Sequence, residues 1–489
     1  MNYRFRNLTV SIVVIVMAFT GHVFASSFAD THGYSTKGIG MGNAMTAIVD
    51  DWSSVYYNVA GLGKTKQLKG SAAGEDTKAG MGLKKKDAKQ ETKIISGDST
   101  AHLNELYLGF MYTMPMFKID YNKSASDLEI LGDQDLSYGI ITLGVALDLN
   151  TVITMPSFFS SARLGIGLGT PADGNVAKVN DDDLKTHNFI RYGREAQMAK
   201  IMLGLGFGFM DDLFGVGLGV NASFAGKGSM MMEDVLIATG EQVPVARTRM
   251  DLGLNPSVTA GVYFNPGQLV PILKGLDVGA SYRMATAMKI KPFDAGAITT
   301  TAIELQLSLA IFDYYSPHTI TFGVAYDVLG LVLVSADLEM QLWSMYEVSP
   351  VMEANYGDET GELAIPKAKN VFVPKLGVKY DVFSWFSVMA GLAYRPSMFD
   401  ASALDGRHNM LDGTTYTGSL GAGFKIPPMF GMKGPVDITV AYQIQYMPKT
   451  TTDKITIDPD GPGGSLNMNP NYSFGGTCHA VTVGLSYHI

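Results

Sequence analysis

Four cations sit where they could grip a carboxylate. Arg283, Lys375, Lys379 and Arg395 each fall on the small-residue side of an alternating stretch, opposite a row of apolar residues. Charges tolerated opposite a greasy face imply a wet interior. There each cation either meets the headgroup of a ligand or balances a nearby acid such as Asp277, Asp337 or Asp381. The chain also carries 28 methionines, whose flexible, polarizable side chains suit promiscuous apolar pockets. Met389 and Met230, Met231 and Met232 are candidates for such a pocket. Met340 belongs by its register to the lipid side.

Signals for catalysis fail. No HExxH or GxSxG occurs, and the histidines are scattered. The glycine alternations Gly38/Gly40/Gly42, Gly165/Gly167/Gly169 and Gly204/Gly206/Gly208 lack the lysine of a phosphate loop, and period 2 explains the latter two as strand faces. Asp458-Pro-Asp-Gly461 lacks EF-hand spacing. Lys84–Lys86 and Asp181–Asp183 read as solvated loop charges. The single cysteine, Cys478, excludes an intramolecular disulfide and CxxC chemistry. No catalytic residue, metal or cofactor is expected.

The elements that must position the cations are strands. In the last eleven residues His479, Val481, Val483, Leu485, Tyr487 and Ile489 oppose Ala480, Thr482, Gly484, Ser486 and His488. Period 2 puts these sets on opposite faces. The same alternation recurs at Ile303–Ile311, Ile320–Val328, Val332–Leu342, Leu376–Val382, Val388–Tyr394, Tyr416–Ile426 and Ile438–Tyr446, each about the length a tilted strand needs to cross hydrocarbon. Leu164–Leu168, Leu203–Phe209 and Val216–Phe224 alternate with glycine, and 66–76, 104–116 and 137–149 are weaker strand candidates. The tally is about 14 to 16 strands. Polar connections are long at 172–194, 227–247, 347–369, 399–413 and 450–476, and short at Asp381–Trp385. Long loops on one side and short turns on the other are the asymmetry of an outer-membrane barrel.

Bulk properties agree. Arg4 and Arg6, the apolar run Leu8–Phe19 and Val23-Phe24-Ala25 read as a signal peptide over residues 1–25. After it no apolar run reaches the roughly 20 residues of a spanning helix, although 46% of the chain is hydrophobic. A barrel spreads its lipid-facing residues singly along strands, which reconciles the two. The chain holds 55 Gly, which save space in a lumen, and 23 Tyr, which suit an interfacial girdle. The formal charge of −9 argues against nucleic acid as a partner. Residues 26–64 are small-residue-rich and admit no clean spanning strand; they are a candidate plug inside a barrel of residues 65–489. The fold class is all-β: a transmembrane antiparallel barrel with an N-terminal hatch.

Three stretches resemble the FadL/TodX family of outer-membrane transporters of long-chain fatty acids and aromatic hydrocarbons. They are GIGMGNAMTAIVDDWSSVYYNVAGL (Gly38–Leu62), SPHTITFGVAYDVLGLVLVSADLEMQLWS (Ser316–Ser344), and the chain from VPKLGVKYDVFSWFSVMAGLAYRPS (Val373–Ser397) to the C-terminus. The first is similar to the family's hatch, with Gly38, Gly40, Gly42, Asp50, Asp51, Asn58, Ala60 and Gly61 on the motif; Val59 stands where the family usually has Pro. The tail around Thr482, Gly484, Tyr487 and Ile489 is similar to the signal that barrel-assembly machinery reads.

The resemblance implies a monomeric 14-stranded barrel in the bacterial outer membrane, among lipid and lipopolysaccharide. It also implies passive uptake of a hydrophobic small molecule that leaves sideways through the wall. Asp50 or Asp51 is expected to pair with a lumenal cation or cap a short helix, so that its loss loosens the hatch. A lateral exit needs an interrupted ladder, and Pro and Gly mark one; Gly169, Pro171 and Gly174 are the candidate gate. The competing expectation is a surface-binding protein that acts through its long loops.

Overall fold

Alternating residues split onto two faces, and a sheet whose apolar face meets lipid satisfies its backbone only by closing on itself. A computed structural model describes residues 28–65, 104–120, 137–151, 153, 155–156, 158–172, 188–192, 199–236, 242–289, 313–345, 368–400, 410–429, 431–432, 434–457 and 466–489. The ring is formed by β1 (Glu105–Asp120), β2 (Tyr138–Asp148), β3 (Phe159–Pro171), β5 (Lys200–Phe209), β6 (Phe214–Leu236), β7 (Gln242–Phe264), β8 (Leu276–Arg283), β11 (Thr319–Val328), β12 (Val332–Gln341), β13 (Val371–Phe383), β14 (Phe386–Arg395), β16 (Thr415–Ile426), β17 (Val436–Ile457) and β18 (Leu466–His488). Each of these 14 strands pairs antiparallel with the next, and β18 returns to β1. Outside the ring, β4 (Asn188–Phe189) pairs parallel with β15 (Met410–Leu411), and β9 (Thr286–Lys289) pairs with β10 (Asp313–Ser316).

The faces follow the sequence register. On β1 Leu106, Leu108, Phe110 and Tyr112 are exposed while Tyr107, Met111 and Thr113 are buried. On β18 Val481, Val483 and Leu485 point outward and Ala480, Thr482 and His488 inward, as expected. Exposed aromatics bracket the apolar band: Tyr112, Tyr282, Tyr394, Tyr416 and Tyr446 at one height, and Tyr326, Tyr380, Trp385 and Phe424 at the other. Tyr416 and Phe424 on β16 lie roughly 26 Å apart along the strand at about 3.3 Å per residue, which is about 20 Å of depth at the roughly 40° tilt of such strands and falls within a belt of about 25 Å.

Turns are short at the end where Glu105 pairs with His488, as at 210–213, 329–331 and 384–385. The longer connections lie at the other, extracellular end. Two stretches expected as loops are largely strand instead. β6 and β7 stay paired out to Leu236 and Gln242, and β17 and β18 out to Ile457 and Leu466. A ladder needs only backbone groups, and beyond the hydrocarbon nothing demands a greasy face, so the alternation fades while pairing continues. The expected strands at 66–76 and Ile303–Ile311, the leader 1–25, Gly174, and the loop charges at 84–86, 181–183 and 458–461 lie outside the described residues.

Residues 28–65 fill the lumen as three helical turns (Phe28–Thr31, Thr36–Gly40, Ser54–Tyr57) and a 3-10 helix (Val59–Gly63). Phe28, Tyr34, Trp52, Val55, Val59 and Leu62 are buried in a core shared with the wall. The wall makes room with glycine: Val55 and Leu62 press against Gly165, Val59 against Gly204, and Trp52 against Gly144. At Gly42 (φ 61°) the hatch backbone turns left-handed and passes against Gly391 of β14, so a Cβ on either residue meets main chain.

Candidate functional site in the barrel lumen

The lumen is layered. Lowest, toward the short-turn end, the wall ties down the hatch. Arg163, fully buried on β3, donates through Nε to Leu62 O (2.7 Å) and through Nη2 to the carbonyls of Asp50 (2.8 Å), Gly61 (3.0 Å) and Lys64 (2.8 Å). Asp337 on β12 accepts from Met45 N (3.0 Å) and Thr46 N (2.9 Å). Asn58 donates to Thr46 O (2.8 Å) and to Val262 O of β7 (3.0 Å), and accepts from Ala60 N (3.2 Å). That last bond caps the 3-10 helix, so the turn forms with Val59 in place of proline. Lys64 Nζ reaches Ala47 O (2.5 Å); burial pulls its pKa down, against the opposing pull of Asp277 and Asp50.

Asp50 and Asp51 both face Lys37, at 3.4 and 3.6 Å. Their cation thus belongs to the hatch itself. Asp51 Oδ1 also accepts from Ser53 N (2.9 Å), fixing the entry to the Ser54–Tyr57 turn. Gly38 lies against the Tyr57 ring, Gly40 against Gly421 of β16, and Gly61 against Val49. Ala60 is fully buried.

A polar layer follows above. Asp30 of the hatch meets Arg283 Nη1 (3.1 Å) and Lys200 Nζ (3.4 Å), and accepts from Ser316 Oγ (2.9 Å) and Tyr56 Oη (3.0 Å). Burial alone would raise the Asp30 pKa, but Lys200 and Arg283 outweigh it and hold the carboxyl below its usual range. Lys375 Nζ pairs with Glu339 (2.6 Å), which Arg283 also approaches (3.9 Å). Arg395 Nη1 and Arg191 Nε converge on Asp412, at 3.2 and 2.7 Å. His32 lies between Gln443 Oε1 (3.3 Å) and Tyr138 Oη (3.1 Å), and burial draws its pKa down to about 4. Asp30, Tyr56, Arg191, Arg283, Glu339, Lys375, Arg395 and Gln443 of this layer line a cavity of about 50 Å³. Arg283, Lys375 and Arg395 are thus brought together, each beside a carboxylate. Lys379 lies apart, paired with Asp381 at 2.5 Å, and Met389 packs beside Gly40 and Gly421.

Highest is a second apolar cluster. Phe189, Tyr192, Met398, Phe399 and Leu411 from the connections pack on Val371, Val373, Met447, Phe474 and Cys478 from the wall. On the candidate gate, the β3–β5 ladder ends at Gly169↔Lys200, whereas β3 remains paired with β2 through Pro171. Phe28 of the hatch lies against Gly169. The side chains of Met230–Met232 are not among those described. Sequence reading passed over Arg163, Lys200 and Arg191. The first two were accessible by the rule applied to Arg283, a charge on the small-residue side of a strand.

A closed barrel belted with apolar side chains and stoppered by its own N-terminal segment defines a plugged outer-membrane barrel. The chain is similar to alkane uptake protein A of Marinobacter nauticus, 22% identical over 379 residues, covering 75% of this chain and 79% of that one. Among solved structures it resembles a FadL homologue of Pseudomonas aeruginosa, with a TM-score of 0.51 and 15% identity, covering 93% of this chain and 98% of that one. The toluene transporter TodX of Pseudomonas putida aligns with a TM-score of 0.44 and 10% identity, over 93% of this chain and 98% of that one. No protein-family model matches the chain. The FadL/TodX resemblance read from the sequence is borne out in the fold.

Proposed function

We propose that this protein is an outer-membrane channel for passive uptake of hydrophobic small molecules, hydrocarbons or long-chain fatty acids. The observation that carries the reading is the layering of the lumen: an apolar cluster at the extracellular end, and below it a hatch bonded to the wall by buried groups. Each CH₂ moved out of water gains about 0.8 kcal/mol, so the cluster attracts alkyl or aryl groups. The cavity of about 50 Å³ is far below the roughly 300 Å³ of a small-molecule pocket. In this reading room for the ligand comes from displacing connection residues such as Phe189, Tyr192, Met398 and Phe399, which cap the wall at that end.

With the way down closed, the exit is lateral. The end of the β3–β5 ladder at Gly169 and the missing donor of Pro171 support a gate there. Arg283 joins the hatch to the wall through Asp30, whereas Lys375 pairs with Glu339 and Arg395 with Asp412, so a ligand headgroup would meet these cations in competition with those carboxylates. In this reading residues 1–25 are removed on export, 26–64 form the hatch and 65–489 the barrel. One chain suffices, and it is inserted by assembly machinery through β18 among lipid and lipopolysaccharide.

The test is uptake of labelled hexadecane, oleate and toluene by cells with and without the protein. Faster uptake of at least one compound supports the proposal. Identical uptake of all three rejects it and favours a surface-binding role.

A further inference from the structure

Among the described residues, the polar layer holds more positive charge than its carboxylates balance. Arg191, Lys200, Arg283, Lys375 and Arg395 share Asp30, Glu339 and Asp412 among the described residues. His32 is neutral at pH 7. Asp337 spends one carboxylate oxygen on two hatch amides; even counting it, one positive charge stays in excess. Two guanidiniums divide a single carboxylate at Asp412, and Arg395 Nη2 is buried without a hydrogen-bond partner among the described residues. An uncompensated buried charge costs several kcal/mol, which is large against the stability of any fold.

We propose that the cavity between hatch and wall binds a monatomic anion, chloride in the usual surroundings of the cell. Arg191, Arg283, Lys375 and Arg395 all line it, with Thr417 and Gln443 as neutral donors. At about 50 Å³ it exceeds the roughly 10–15 Å³ that a single water requires, so a monatomic ion fits. Because Asp30, Asn43 and Tyr56 of the hatch form its other wall, the anion joins hatch to barrel. The inference stands whichever compound the protein transports.

The experiment uses the full-length protein in detergent and compares sodium chloride and bromide with sodium gluconate at equal ionic strength. Chloride and bromide are expected to raise the thermal midpoint saturably, by a shift on the order of 3 °C, and Arg395→Gln to abolish the dependence. Bromide-soaked crystals of the unaltered protein should show an anomalous peak in the cavity, a readout that needs no variant. Equal midpoints in all salts, a halide effect unchanged in Arg395→Gln, or no bromide peak at the cavity would each overturn the proposal.

Discussion

Replacing Arg163 by methionine should open the hatch. The substitution keeps most of the aliphatic stem but removes the donors that hold the carbonyls of Asp50, Gly61, Leu62 and Lys64. A hydrogen bond from a charged donor contributes about 1.5–3 kcal/mol. The four contacts do not add in full, because burying the guanidinium itself costs several kcal/mol. Breaking one side of such a buried arrangement typically costs about 3–5 kcal/mol. A loss of about 4 kcal/mol multiplies the undocked population roughly a thousandfold. The assay is conductance in planar bilayers, with heat-modifiable gel migration to show that the barrel is closed. Arg163→Met should show frequent large openings and faster proteolysis at residues 50–65. A closed barrel with the quiet baseline and protease resistance of the unaltered protein would refute the assignment of Arg163 as the principal tie.

Asp50→Asn should have little effect on leak. Its carboxylate meets Lys37 in a pair about one-third exposed, worth at most about 1 kcal/mol, and Arg163 holds only the backbone carbonyl; a leak as large as that of Arg163→Met would contradict this. Leu420→Arg puts a charge at the middle of the belt, where Leu420 is 64% exposed, and should destabilise the barrel by about 2–4 kcal/mol in lipid, measured by urea titration in liposomes. His32 is held neutral in the fold, so the unfolded or undocked state binds the extra proton. Its contribution is complete above about pH 6.5 and falls by about 3 kcal/mol as pH drops to about 4. Leak conductance should rise more steeply across that window in the unaltered protein than in His32→Gln.

The wall was legible because lipid imposes a rule on every second residue. Val481, Val483 and Leu485 could be assigned to the outer face from order alone, and so could the inward cations. The hatch was legible as a segment unfit to face lipid. Its fastening was not. Arg163 and Leu62, or Asp337 and Met45, are brought together only by barrel closure, and no local pattern encodes a bond across that separation. The pairing of 227–236 with 242–251 has no such signature, because water, unlike lipid, imposes no alternation.

The hydroxyl of Thr36, near the start of the chain, bonds that of Thr482 on the closing strand (2.8 Å). A slip of one residue there would offer Val481 or Val483 instead, and the bond would be lost. The plug and the closing strand are therefore matched to one another at this point, and the contact exists only when the two ends of the ring meet in the observed register.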